Sequence, residues 1–300
     1  MVEFLKAALA IASFVPKRPR HPVIAVGEMP PDNSGLITLV PKRAQLTRCP
    51  MRTMLRLLAF FNLLLAFPYS GVADDAASRA TVEKAIEAHG GEKLLAKFSA
   101  ATSKIKGTVY IQDIPVPFSG EIAMQSHDQQ KAVISFVADG QSISLISVLN
   151  REQGWIKIND ETVEMPKEQL TETKESAYSA WVATLVPLRQ KEFMLAPFGV
   201  LEIAGRKAVG VNVTHEGRRP INLFFDKETS RLVRSEARVR DETTGEEVTE
   251  QVTYSEYKAV EGVQHPMKVV IKRNEKPHAE IDVEEVKLAE KLDDSVFARP

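Results

Sequence analysis

Turn signals cut Lys104 to Met165 into six short segments rich in Val and Ile: 104–111, 115–124, 131–138, 142–150, 154–159 and 162–165. Segments this short, bounded by turn residues, read as strands and leave no room for ordinary helices. Asp139-Gly140 is a tight hairpin signal and Asn159-Asp160 a weaker one. Ser142 to Leu149 is apolar on both faces, which suits a strand covered on both sides.

A second β region follows. Val209, Val211 and Val213 alternate, and Ile221 to Phe225 runs into the turn Asp226-Lys227-Glu228-Thr229. Further strands read over 233–239, 248–257 and around Met267, Val269 and Ile271, with turns at Thr243-Thr244-Gly245 and Glu261-Gly262. In the last strand Ile281 and Val283 give way to Val286 and Leu288, so the apolar phase slips across Glu284-Glu285 and predicts a β-bulge.

Two helical segments interrupt this pattern. Val82 and Ile86 place one over Ala76–Ala88, and His89-Gly90-Gly91 breaks it before a short helix to about Phe98. Leu170, Ala177, Trp181, Leu185 and Leu188 form one apolar stripe over Lys167 to about Arg189, with Pro166 suited to the first turn. Phe193 to Phe198 is unusually apolar for a connection and reads as core or as a loop at a cavity mouth. Roughly ten or eleven antiparallel strands with these helices make a mainly β, α+β chain. Its expected form is a strongly curved sheet or half-open barrel, with a striped helix able to cover the concave face.

The net charge of −1 hides an asymmetry. Residues 1–73 hold nine of the 39 Lys and Arg but three of the 40 Asp and Glu, which leaves the remainder at −7. Arg52 and Arg56 precede the apolar run from Leu57 to Phe67, and Gly71 and Ala73 stand at −3 and −1 of a cleavage point. That order is a secretory signal over 51–73, and the run is shorter than the roughly 20 residues of a membrane span. The simplest reading starts translation at Met51 or Met54 and makes 1–50 a disordered or non-native extension; a real basic arm is the alternative. Residues 74–300 are then one exported domain, expected in the periplasm. The sole cysteine, Cys49, lies in the extension, so disulfides, thiolate nucleophiles and Cys-based zinc sites are excluded from that domain. Balanced charge argues against nucleic acid as a partner.

Catalytic signals are weak. The histidines at 21, 89, 127, 215, 265 and 278 include no pair at helix-borne zinc spacing, and no phosphate loop or nucleophile elbow occurs. His89 beside two glycines suits a helix end. Glu246-Glu247 and Glu284-Glu285 read as solvated faces, and Arg218-Arg219 as an exposed turn or a contact for an acidic headgroup. Neither a cofactor nor a metal is expected. Trp181, Tyr178 and Leu185 share a helix face, while Phe136, Leu145, Trp155, Phe224 and Phe225 lie on candidate concave strands; ordinary core and cavity wall look alike at this level.

The element order resembles the LolA/LolB-like superfamily of lipoprotein carriers. Ala85-Ile86-Glu87-Ala88-His89-Gly90-Gly91, Leu223-Phe224-Phe225-Asp226-Lys227-Glu228-Thr229, Thr253-Tyr254-Ser255-Glu256-Tyr257 and Leu292-Asp293-Asp294-Ser295-Val296-Phe297 are similar to phrases of its outer membrane lipoprotein-sorting proteins. The likeness covers about residues 76–300. It implies a half-open β-barrel with a helical lid that carries lipid or acylated lipoprotein through the periplasm without catalysis. It further implies a cavity lined by some of Phe136, Leu145, Trp155, Tyr178, Trp181, Leu185 and Phe225. A membrane-bound delivery or receptor protein is the implied second partner, and a monomer is expected. A periplasmic sensor or protein-interaction module, and a lipid or peptide hydrolase, are the alternatives.

Overall fold

The fold is given by a computed structural model, which describes residues 71–300 except 139, 242 and 243, and not the side chains of 71–74 and 138. The expected extension over 1–50 lies outside the described residues, as does the expected signal peptide apart from Gly71 to Ala73. Those three open helix α1 (Gly71–Ala88), which therefore starts before Ala76. The helix ends where expected: Gly91 N–H donates to the Ile86 carbonyl at 3.0 Å, and Gly90 and Gly91 take φ of 123° and 82°. A Cβ at Gly90 would lie 2.7 Å from the Gly262 carbonyl oxygen, so glycine also permits close backbone contact there. Helix α2 (Glu92–Lys97) follows.

The chain then builds β1 (Ala100–Ile111), β2 (Ile114–Gln125), β3 (Gln129–Ala138), β4 (Gln141–Asn150), β5 (Gln153–Ile158) and β6 (Glu161–Glu164). Helix α3 (Lys167–Val182) and a 3₁₀ turn (Val186–Arg189) lead to β7 (Met194–Ile203), β8 (Arg206–Thr214), β9 (Ile221–Asp226) and β10 (Leu232–Arg240). The last strands are β11 (Glu247–Val260), β12 (Val263–Arg273) and β13 (Lys276–Ala289), before a 3₁₀ turn at Asp294–Phe297. All thirteen lie in one antiparallel sheet, ordered 6-5-4-3-2-1-13-12-11-10-9-8-7. The chain starts in the middle, walks to the β6 edge, crosses through α3 to the β7 edge and walks back to β1.

That crossing requires the sheet to curl. Lys174 Nζ lies 2.5 Å from Glu152 on the β4–β5 turn, while the next residue, Glu175, lies 2.9 Å from Arg218 Nη1 on the β8–β9 connection. On a flat sheet β4 and β9, eight spacings apart, would be separated by roughly 38 Å at about 4.8 Å per spacing. Two adjacent side chains bridge them, so the sheet is strongly curved with α3 across its concave side. It stays unclosed, with β6 and β7 as edges.

The bulge falls where the phase slip places it. Lys104 pairs with Glu285 and Ile105 with Val283, which leaves Glu284 as the extra residue. Its carboxylate meets Lys106 at 2.6 Å. Two elements differ from expectation. Helix α3 stops at Val182 and the chain resumes as the 3₁₀ turn, where Pro187 lacks the N–H that would bond the Ala183 carbonyl in a continued helix. Leu185 takes a left-handed φ of 71° to make the turn, a strained conformation held by its buried side chain. The apolar connection at 193–198 is largely strand β7, hidden in the sequence by Pro197 and Gly199. Proline cannot donate to a ladder and is tolerated because β7 is an edge.

The concave face carries two core regions. Ile105, Phe118, Ile134, Phe136, Leu145 and Ile281 pack together over β1–β4 and β13. Over β8–β10, Val82 and Ile86 of α1 and Tyr178 and Val182 of α3 pack on Ile221, Leu223 and Phe225. Fully burying a side chain of this size contributes about 1.5–3 kcal/mol. On the outer face Ala123, Val148 and Trp155 are covered by Phe297 of the C-terminal turn.

Candidate functional site

Between the two core regions the layers do not meet. A cavity of about 370 Å³ separates α2 and α3 from the sheet. Helix α3 turns Ser176, Ser179, Ala180 and Trp181 toward it. Opposite, alternation along β10 supplies Ser235, Ala237 and Val239, and β11 and β12 supply Val252, Val263 and Val269. Small side chains on both walls leave the hollow. Exposed Ala96, Ser99 and Thr184 also line it, so it reaches solvent between α2 and the end of α3.

Ion pairs tie α3 across the hollow. Arg219 grips Glu172 with two bonds, of 2.7 and 2.6 Å, and Glu172 also accepts from the Arg240 N–H at 3.2 Å. Arg218 bonds Glu175 at 2.9 Å and lies over the Tyr178 ring. Arg218-Arg219 is therefore not an exposed turn: the curl brings the β8–β9 connection against α3. Hydrogen bonding to Glu172 holds the Arg219 pKa above its ordinary value.

The polar groups of the wall are mostly satisfied by the protein. Tyr254 bonds Ser235 Oγ at 2.9 Å, and burial raises its pKa to about 12. Tyr257 donates to the Leu232 carbonyl at 2.6 Å, and burial raises its pKa as well. Glu256 has a left-handed φ of 55° that breaks the alternation of β11, so tyrosines three apart both face the cavity. His89 Nδ1 lies 2.7 Å from the Ala85 carbonyl and His265 Nδ1 lies 2.9 Å from the Pro266 carbonyl. Each Nδ1 therefore carries the proton and donates it. Burial lowers both histidine pKa values and favours the neutral rings. Glu250, also on the wall, is held by Arg273 at 3.1 Å. No group of three His, Cys, Asp or Glu residues placed to hold a metal occurs among the described residues. Ser235 bonds a tyrosine rather than an imidazole.

Of the residues singled out from the sequence, Trp181 lines the cavity. Tyr178, Leu185 and Phe225 are buried in the helix–sheet core beside it, and Phe136 and Leu145 in the other core region. Trp155 stands on the outer face against Phe297, because period-two alternation turns its neighbour Ile156 inward. Tyr254, Tyr257, His265 and the small residues of β10 complete the wall and were not singled out from the sequence, while His89, read there as a helix-end histidine, lines it as well. The Ser-Ala-Val alternation at 235, 237 and 239 is the signal that marks a thin wall.

No family model and no curated protein matches the sequence. Solved structures similar to it include a DUF1329 family protein from Desulfovibrio piger, at 12% identity over 74% of this chain and 97% of that one, TM-score 0.48. A LolA superfamily protein from Nitrosomonas europaea gives 12% identity over 74% and 97%, TM-score 0.46. A putative outer membrane lipoprotein-sorting protein domain from Vibrio parahaemolyticus gives 9% over 72% and 97%, TM-score 0.46.

Proposed function

We propose that this protein binds the apolar chain of a lipid or acylated protein in the cavity between α3 and the sheet, sheltering it from water without a covalent step. The observation that carries this reading is the cavity itself. A chain there exchanges water for the wall of Val239, Val252, Val269 and Trp181, a gain of about 0.8 kcal/mol per buried methylene. Helix α3, held by side-chain ion pairs at 172, 174 and 175, serves as the lid. The chain is exported by the segment 51–73, cleaved after Ala73, and acts in the periplasm as a monomeric carrier delivering to a membrane partner.

Trp155 and Trp181 are the two tryptophans, and Trp155 lies on the far face of the sheet. Trp155→Phe therefore leaves one reporter in the cavity wall. Titration with dodecanoate is expected to shift Trp181 emission saturably at one site per chain. Trp181→Asp, followed by radiolabelled dodecanoate in place of fluorescence, is expected to reduce binding at least tenfold. Full binding by the folded Asp variant would remove the lid from the account.

A second reading, a module that docks another protein, has one observation in its favour. The β7 edge exposes Met194 at 65% and Phe198 at 44%.

A further inference from the structure

We propose that the ligand is a single-chain amphiphile with an anionic head, its chain in the cavity and its head at Arg231. This rests on the lipid-binding reading and narrows it to one ligand class. Two observations converge, one on the chain and one on the head.

The first is size. The cavity of about 370 Å³ lies at the small end of the roughly 300–1,000 Å³ of ligand pockets, which suits one medium chain.

The second is charge. Arg206, Arg218, Arg219 and Arg273 each meet a carboxylate within 3.3 Å. Arg231 has no carboxylate partner among the described residues. Its Nη2 donates to Gln264 Oε1 at 3.0 Å and its guanidinium lies 5.5 Å from the Tyr257 ring centroid. Gln264 and Tyr257 both line the cavity, as does His89, whose carbonyl accepts from the Gln264 N–H at 2.9 Å. A half-buried guanidinium without a counterion attracts an anion that completes its hydrogen bonds. Arg231 also fixes Gln264 Oε1 as an acceptor, which leaves the amide NH₂ as a second donor for the same head.

The far end of the wall has the opposite sign. Glu250 lines it seven residues before Tyr257 on the same strand, roughly 23 Å away at about 3.3 Å per residue. Its partner Arg273 is shared with Asp241, so the cation beside Glu250 is already committed to carboxylates. An anionic head is drawn to the Arg231 end and disfavoured at the other, which gives the ligand one orientation. A carboxylate and a phosphate monoester satisfy this chemistry equally, and they are separated by direct comparison.

The test measures Trp181 emission in the Trp155→Phe protein with four probes, dodecanoate, dodecyl phosphate, dodecanol and dodecyltrimethylammonium, the ions below their micelle concentrations and the alcohol below its solubility limit. At least one anion is expected to bind about tenfold tighter than dodecanol at pH 7.5, as one charged hydrogen bond supplies. Whichever anion shows the larger advantage identifies the head. Arg231→Met is expected to bring the anion-to-alcohol ratio near one, and Arg231→Lys to keep part of it, which controls for a folding defect. Dodecanol binding as tightly as both anions, or an anion preference surviving in Arg231→Met, overturns this proposal and leaves chain binding standing. Failure of all four probes overturns both. Didecanoyl phosphatidic acid binding as tightly as the favoured single-chain anion overturns the single-chain part.

Discussion

The concave face has a filled region and a hollow one, built by the same sheet with the same alternation. In the filled region Phe118, Phe136, Ile134 and Leu145 reach into the curl and meet one another, and Leu170 from the first turn of α3 packs directly against them. In the hollow region β10 offers Ser235, Ala237 and Val239, and α3 offers Ser179 and Ala180 across from them. Both regions are apolar, so hydrophobicity alone does not separate them. Side-chain volume does. Large residues close a curved sheet on itself, while small ones leave room that a helix covers without filling.

The contrast can be broken first in the filled region. Leu145→Ala is expected to cost about 3–5 kcal/mol, the sum of lost transfer energy and a new void. Val239→Ala, on the wall of the hollow and outside both core regions, is expected to cost about 1 kcal/mol, since its neighbours already leave space there. Urea unfolding of the two variants reads the difference. Equal losses would mean that the two regions are packed alike.

Next comes the strap across the hollow. Arg219→Met removes the guanidinium that grips the buried Glu172 carboxylate, at an expected cost of about 1–3 kcal/mol. Amide exchange is expected to accelerate over 167–182 and to remain unchanged in β1–β4. Acceleration of the whole sheet to the same degree would show that α3 is part of the core rather than a cover.

Filling the hollow sharpens the comparison from the other side. Ala237→Leu is expected to stabilise the empty protein by about 0.5–2 kcal/mol, as cavity-filling changes commonly do, and to abolish uptake of a dodecyl chain. A gain in stability with uptake intact would place the chain elsewhere.

The smallest expected effect is on pH dependence. Burial lowers the His89 and His265 pKa values, so the unfolded chain takes up protons that the folded one refuses. Stability is full above the unfolded value of about 6.5 and falls as the pH drops through and below it. Melting temperatures at pH 7.5 and 5.5 are expected to differ by less in His89→Phe than in the parent protein. An unchanged difference would mean that His89 does not carry the effect.

Much of the architecture was legible because it follows from period and punctuation. The phase slip across Glu284-Glu285 located the bulge at that pair, and the two glycines after His89 marked the break between α1 and α2. Strand β7 was obscured because Pro197 and Gly199 are poor strand residues inside a sheet, and only its place at the edge permits them. The cavity was less legible. A core residue and a wall residue are the same residue until something is known to face it. Trp181 was found by its helical stripe, while Trp155 was assigned to the wrong face because a bulky aromatic does not reveal its phase. Tyr257 reaches the wall through the left-handed backbone at Glu256, a turn that no sequence period marks. Arg218-Arg219 gained their partners through the curl of the sheet, which joins segments more than 40 residues apart.

The central claim is that the hollow is a binding site rather than a packing defect. Native mass spectrometry of the protein purified without detergent from the compartment it occupies, followed by denaturation and analysis of what is released, addresses it most directly. The account predicts a stoichiometric adduct that releases an acyl chain and is missing from Ala237→Leu. A protein that arrives empty and takes up no dodecyl chain at micromolar concentration would contradict it.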